Sequence, residues 1–198
     1  MLSLKRTLAG LVMSVAAAAA MAQTTPDALI KQVSTDVIDT IKADKAIQAG
    51  DLGKIVALVD AKVMPHVNFQ RMTASSVGRH WRAATPEQQK KLQDEFKTLL
   101  VRTYAGALTQ VKDQTVQLKP LRAAAEDTEV VVRTEVKGKG EPIQLDYRLE
   151  KANADWKIYD VNVLGVWLVE QYRGQFAQDI GSIGIDGVSL TVNAIDGA

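Results

Sequence analysis

The 198-residue sequence contains no cysteine. Disulfides, thiolate catalysis and cysteine-based metal sites are excluded, so stability must come from packing. Aromatic residues make up only 5% of the chain, which leaves branched aliphatics to build most of the core. No charge excess of either sign is present: 24 Lys and Arg face 23 Asp and Glu, a formal net charge of +1. So balanced a chain has no global field for nucleic acid. The only histidines are His66 and His80, fourteen residues apart. A zinc pair on one helix needs a spacing of about four. No GxSxG elbow occurs, and Gly181, Gly184 and Gly187 follow no strand. They make a poor phosphate cradle and serve better to loosen or end a helix.

Long hydrophobic runs are confined to the start. Lys5 and Arg6 are the only charges before Asp27, an apolar run extends from Leu8 to Ala20, and Ala20-Met21-Ala22 is a small-x-small cleavage site. That is the layout of a secretory signal peptide. The run is shorter than the ~20 apolar residues that a spanning helix needs. No cysteine follows it, which excludes a lipoprotein anchor. The expectation is cleavage after Ala22, leaving residues 23–198 as one exported, soluble domain. Losing residues 1–22, with two basic residues and no acid, takes the formal net charge from +1 to −1.

The rest of the chain reads as helices, then strands, then helices. Thr25-Pro26-Asp27 predicts a helix start, with a capping hydroxyl, proline in the first turn and an acid at the positive end of the dipole. Leu29, Ile30, Val33, Val37, Ile38 and Ile41 follow at helical spacing, and Gly50 supplies a stop. Asp51 restarts a helix carrying Leu52, Ile55, Val56, Val59 and Val63, which Pro65 ends. Residues 66–84 read as short helical turns around Phe69, Met72, Val77 and Trp81. Thr85-Pro86-Glu87-Gln88 is a capping box opening a helix over 86–111.

The period then changes from 3.6 to 2. Val130, Val132, Thr134 and Val136 alternate with polar or outward positions, Gly138-Lys139-Gly140 turns, and Ile143, Leu145, Tyr147 and Leu149 alternate in return. This predicts a hairpin with one apolar face. A further strand runs from Trp156 to Val163, and residues around Val116 and Leu118 add a fourth. Gly165 opens a last helical region with Val166, Trp167, Leu168, Tyr172, Phe176 and Ile180. The tail from Ile185 has strand-like composition but the position of a docked helix. Short connections make the sheet antiparallel, and its apolar face must be covered. The expected fold is α+β: an antiparallel sheet of about four strands under N- and C-terminal helices.

Three polar features compete for a role. Asp146 and Asp160 could pair across neighbouring strands, or sit on a solvated or salt-bridged face. Arg71, Arg79, Arg82, Lys90 and Lys91 cluster around Trp81, either to meet lipid phosphates or an acidic partner, or as a solvated helix surface. The apolar sheet face is either a filled core or the wall of a cleft, and aliphatic walls suit alkyl chains.

Gly78-Arg79-His80-Trp81-Arg82-Ala83-Ala84-Thr85-Pro86-Glu87-Gln88 resembles the "HWR-ATPEQ" segment of the MlaC family. Leu99-Leu100-Val101-Arg102-Thr103-Tyr104-Ala105 resembles its "LLxxTYA" segment. Trp156-Lys157-Ile158-Tyr159-Asp160-Val161, with Gly165-Val166 and Tyr172-Arg173-Gly174-Gln175-Phe176, is similar to its third signature. These segments run in order from about Val63 to Phe176. Where that family usually has serine after Gly-Val, this chain has Trp167, a ring large enough to narrow a neighbouring cavity.

The resemblance implies a periplasmic phospholipid carrier with an NTF2-like (cystatin-like) sheet lobe and a helical lobe. It would be a monomer, neither an enzyme nor a nucleic-acid binder. Its cargo would be glycerophospholipid, with no other cofactor and no metal. Its partners would be an outer-membrane lipoprotein–porin complex and the substrate-binding subunit of an inner-membrane ABC transporter. The wall of the pocket would be Val132, Val136, Ile143, Leu145, Tyr147 and Leu149 on the hairpin. Leu100, Tyr104, Val161, Val163 and Val166 would close it. The competing readings are an NTF2-like isomerase or dehydratase, with Asp146 or Asp160 turned into the pocket, and a periplasmic adaptor with a filled core.

Overall fold

A computed structural model describes residues 24–124, 126–153 and 155–194, the last seven by backbone alone. The expected leader, residues 1–22, lies outside the described residues. Six α-helices and five strands occur among them: α1 (Pro26–Ala43), α2 (Lys45–Gln48), α3 (Leu52–Leu58), α4 (Phe69–Val77), α5 (Pro86–Thr109), β1 (Thr115–Leu118), β2 (Glu129–Lys137), β3 (Ile143–Ala152), β4 (Asp155–Val163), β5 (Val166–Trp167) and α6 (Leu168–Ala194). Short π and 3₁₀ turns link α3 to α4 and α4 to α5.

Local chemistry sets most of these boundaries. Gln88 donates its backbone N–H to Thr85 Oγ1 at 3.2 Å, and Thr85 donates its own to Gln88 Oε1 at 2.9 Å. The capping box thus forms as its sequence requires. Asp44, Asp51 and Asn68 cap α2, α3 and α4. Thr25 occupies the N-cap of α1 but makes no side-chain capping bond, against expectation; its carbonyl accepts from Leu29 instead. Gly50 ends the α1–α2 stretch at φ 87°, a conformation that costs glycine little. The tail is helical rather than extended, and Gly184, at φ 74°, bends α6 partway along.

The strands form one antiparallel sheet in chain order, β1-β2-β3-β4-β5. The fifth strand is an addition to the four expected. Val166–Trp167 pairs with Asn162 and Val163, so α6 begins at Leu168 rather than at Gly165. Register puts the expected alternation on one face. Val130, Val132, Thr134 and Val136 stand opposite Leu149, Tyr147, Leu145 and Ile143. Val163 and Val161 then stand beside Leu145 and Tyr147. A bulge shifts register at Arg148/Leu149 and brings Ile158 opposite Leu149.

Helices cover this apolar face in three buried clusters. In the first, Leu29, Ile30 and Val33 of α1 pack on Val130, Val132, Leu149 and Ile158. The second joins α4, α5 and α6 around Phe96, whose ring lies 5.0 Å from Tyr172 and 5.3 Å from Phe176, both edge-on. The few aromatics are concentrated here. In the third, Ile41, Ile47, Ile55 and Leu58 meet Val101 and Ala105 on α5. Each fully buried aliphatic contributes roughly 1.5–3 kcal/mol.

Candidate functional site

The apolar sheet face is not covered evenly along its length. At one end Leu149 is 0% exposed and Val132 1%, both sealed beneath α1. Toward the other end the next rows, Leu145 and Val136, are only half-buried, and Ile143 is 43% exposed. Among the described residues these three belong to none of the buried clusters. They form an aliphatic strip flanked on two sides. Val163 lies beside Leu145 and packs, with Leu100 and Tyr104 of α5, on the aromatic cluster. Tyr147 stands next along β3 and packs on the α1 cluster.

Tyr147 marks the boundary between sealed and unsealed wall. Burial pushes its phenol above the usual value, against opposing hydrogen bonds with Ser34 and Thr134 and alongside the charge of Asp146. The side chain nevertheless keeps accessible surface. Thr134, 0% exposed, donates its hydroxyl to the Leu145 carbonyl at 2.7 Å. The threonine hydroxyl is thus satisfied by the backbone, and the neighbouring side chains Leu145 and Val136 are aliphatic.

Two of the sequence-derived wall residues, Val132 and Leu149, are core positions under α1. Tyr147 and Val161 join them, and Val161 also touches the aromatic cluster with Leu100, Tyr104 and Val163. Val136, Leu145 and Ile143 lie between and beyond the clusters. Val166 is 49% exposed at the sheet end, paired with Val163. Val37 was not among the wall residues, yet it packs on both the first and third clusters. Its place in the apolar stripe of α1 was the available signal. Ser34 had none, because its partner lies far along the chain.

The opposite sheet face is polar and tightly paired. Asp160 is 0% exposed and accepts from Arg148 at 2.9 Å and from the backbone of Val161 and Val169. Burial raises its carboxyl above the usual range, and these donors oppose the rise. Asp146 stands across from Asn162, not Asp160, so no carboxylate pair forms. Its Oδ2 accepts from Gln144, and its buried Oδ1 has no hydrogen-bond partner among the described residues. Both acids face away from the aliphatic strip. Trp167 lies on this polar face as well, with the Arg148 guanidinium 3.8 Å from its ring centroid. The ring therefore lies on the face away from the strip. An open depression of about 470 Å³ runs along Arg122, Glu129, Arg133, Arg148 and Tyr159. A smaller one of about 270 Å³ lies between α3 and α5, away from the sheet.

Three members of the basic cluster have partners of their own. Arg71 turns to Glu129 and Glu150 and stacks on Tyr159, Lys90 pairs with Asp94, and Arg79 donates to His80. No group of three metal-ligating side chains occurs among the described residues, and none of their helices is long and apolar enough to cross a membrane.

Comparison with known proteins identifies the fold and the family. The phospholipid-binding protein from Ralstonia solanacearum, solved in complex with a phospholipid, has a TM-score of 0.82 and 49% sequence identity, covering 85% of this chain and 94% of that one. The intermembrane phospholipid transport system binding protein MlaC of Haemophilus influenzae is 25% identical over 171 residues, covering 84% of this chain and 80% of the relative. The toluene tolerance protein ttg2D of Pseudomonas putida is 26% identical over 167 residues, covering 84% and 78%. Residues 31–193 match the family described as MlaC protein, and with most of its length so matched the chain belongs to that family.

Proposed function

We propose that this protein is a periplasmic carrier that holds the acyl chains of a glycerophospholipid along the aliphatic strip between sheet and helices. The observation that carries the reading is the unsealed row of Val136, Ile143 and Leu145, in a fold shared with a protein solved with bound phospholipid. Leu100, Tyr104, Val161 and Val163 supply the facing wall, and Val132, Tyr147 and Leu149 its sealed end. Val166 stands at the rim. Export follows from the leader, with cleavage after Ala22. Lipid would pass between an outer-membrane lipoprotein–porin complex and the substrate-binding subunit of an inner-membrane ABC transporter.

The task needs wall area rather than catalysis. Burying a CH₂ gains roughly 0.8 kcal/mol. A tail of about sixteen carbons therefore costs on the order of 12 kcal/mol to expose, or roughly nine decades of equilibrium constant. An isomerase or dehydratase would need an acid or base among the aliphatic rows, and Asp146 and Asp160 both lie on the other face. Solvent extraction of the protein purified from its native envelope, followed by mass spectrometry, tests the reading. Near-stoichiometric phospholipid is expected, and a lipid-free extract would overturn it.

A further inference from the structure

Tyr147 has a different environment on each side. Ile143, Leu145, Tyr147 and Leu149 alternate along β3 and so share one face. Toward Leu149 nothing is open. Leu149, Val132 and Ile158 are buried in one cluster with Ile30 and Val33 of α1. Toward Ile143, Leu145 is half-buried and belongs to none of the buried clusters. Val161 stands opposite Tyr147 on β4 and Val163 opposite Leu145, and both are half-buried as well. The accessible part of the Tyr147 side chain therefore faces the half-buried rows and not the sealed ones.

The ring is also held in place. Its hydroxyl is hydrogen-bonded to Ser34 on α1 and Thr134 on β2. Thr134 is fully buried, and Ser34 follows Val33 of the α1 cluster. The ring itself packs on that cluster. Strand side chains stand roughly perpendicular to their sheet. Tyr147, the longest of the four, thus reaches across the gap between β3 and α1, tethered at its far end. Leu145 and Ile143 carry no such tether.

We propose that the Tyr147 ring is the end stop of the acyl site and sets the longest tail that the site can bury. The inference rests on the carrier reading and adds to it a chain-length limit and the residue that imposes it. A tail lying over Ile143 and Leu145 buries methylenes against aliphatic wall until its end meets the ring. Beyond the ring is close-packed core, which has no volume for a further methylene. Extra methylenes then remain in water at the open end and add nothing to affinity.

The test is calorimetric titration of the delipidated protein with lysophosphatidylcholines of increasing saturated tail length, each below its micelle concentration. Affinity should rise about fourfold per added methylene and then level off. Tyr147→Leu, which stays apolar but has no ring, should level off at a tail longer by at least one methylene. Tyr147→Phe keeps the ring and should level off at the parent's length, whatever its overall affinity. Leu145→Phe, one row nearer the open end and outside the buried clusters, should level off at a shorter tail. It reads the direction of the site even where Tyr147→Leu does not fold. Affinity that keeps rising through the whole series in the parent would overturn the proposal. So would a limit unmoved by Tyr147→Leu, or one unmoved by Leu145→Phe. A Tyr147→Phe limit shifted as far as that of Tyr147→Leu would overturn it too, because the hydroxyl and not the ring would then set the length. A parent that binds no lysolipid fails the carrier reading and the stop together, whereas binding with an unmoved limit fails the stop alone.

Discussion

The Asp160 carboxylate on β4 accepts the backbone N–H of Val169, in the first turn of α6, at 3.0 Å. The first N–H groups of a helix have no partner within it, and here a strand supplies one. The same carboxylate is held by Arg148, which also pairs with Glu170 on α6 and stacks on Trp167. Sheet and last helix are thus joined through one buried acid. Asp160→Ala should cost about 1–3 kcal/mol in denaturant unfolding of the lipid-free protein, and Asp160→Asn, which still offers an oxygen, less. An alanine variant as stable as the parent would show that the join contributes nothing.

Stability should fall on the acid side through Glu129 and Glu135 rather than Asp160. A hydrogen bond from Arg71 is the first cause of Glu129's lowered carboxyl, and one from Lys119 the first cause for Glu135. A carboxyl lowered by folding stabilises above its unfolded value, near 4.5, and loses that contribution as pH falls through its folded value. Asp160 has the opposite sign. Its raised carboxyl makes ionisation unfavourable in the fold, so acidification relieves it. Denaturation across a pH series should show Arg71→Met shallower than the parent below about pH 4.5. Equal slopes would remove Glu129 as a contributor.

Lipid loading should survive exhaustive EDTA dialysis. The aliphatic strip offers no oxygen or nitrogen cluster for a cation to bridge, and acyl-chain burial needs none. Loss of phospholipid on chelation, measured by mass spectrometry against a mock-dialysed control, would assign a metal to the cargo site.

The fold was legible where one local rule decided the outcome. The Thr85 capping box and the hairpin alternation of Val130–Val136 with Ile143–Leu149 each carry their own signal. Val166–Trp167 did not, because two residues are too short for a period to show and only pairing with β4 makes them a strand. The size of Trp167 says nothing about which face it takes, which is set by its register with Asn162. The candidate wall shows the same limit. Leu145 and Leu149 share one alternation and one chemistry, and only the position of α1 across the sheet distinguishes them. That position depends on contacts more than a hundred residues apart in sequence, such as Ile30 with Leu149.

The same pair gives the sharpest test of the pocket. Leu149 is sealed at 0% exposure against Ile30 and Val33, whereas Leu145 is half-buried and outside every cluster. Both face the same side of β3. Leu149→Trp should overpack a filled core and cost roughly 1–3 kcal/mol or more. Leu145→Trp should meet the volume otherwise taken by acyl chain, leaving the lipid-free melting temperature close to that of the parent while co-purified phospholipid falls. The comparison has to be made on lipid-free forms, because cargo bound only to the folded state raises the melting temperature by mass action. If both tryptophan variants melt equally low, the row at Leu145 is filled core and the acyl site lies elsewhere. If Leu145→Trp alone keeps its stability and loses its lipid, the unsealed part of the sheet face is the wall that holds the cargo.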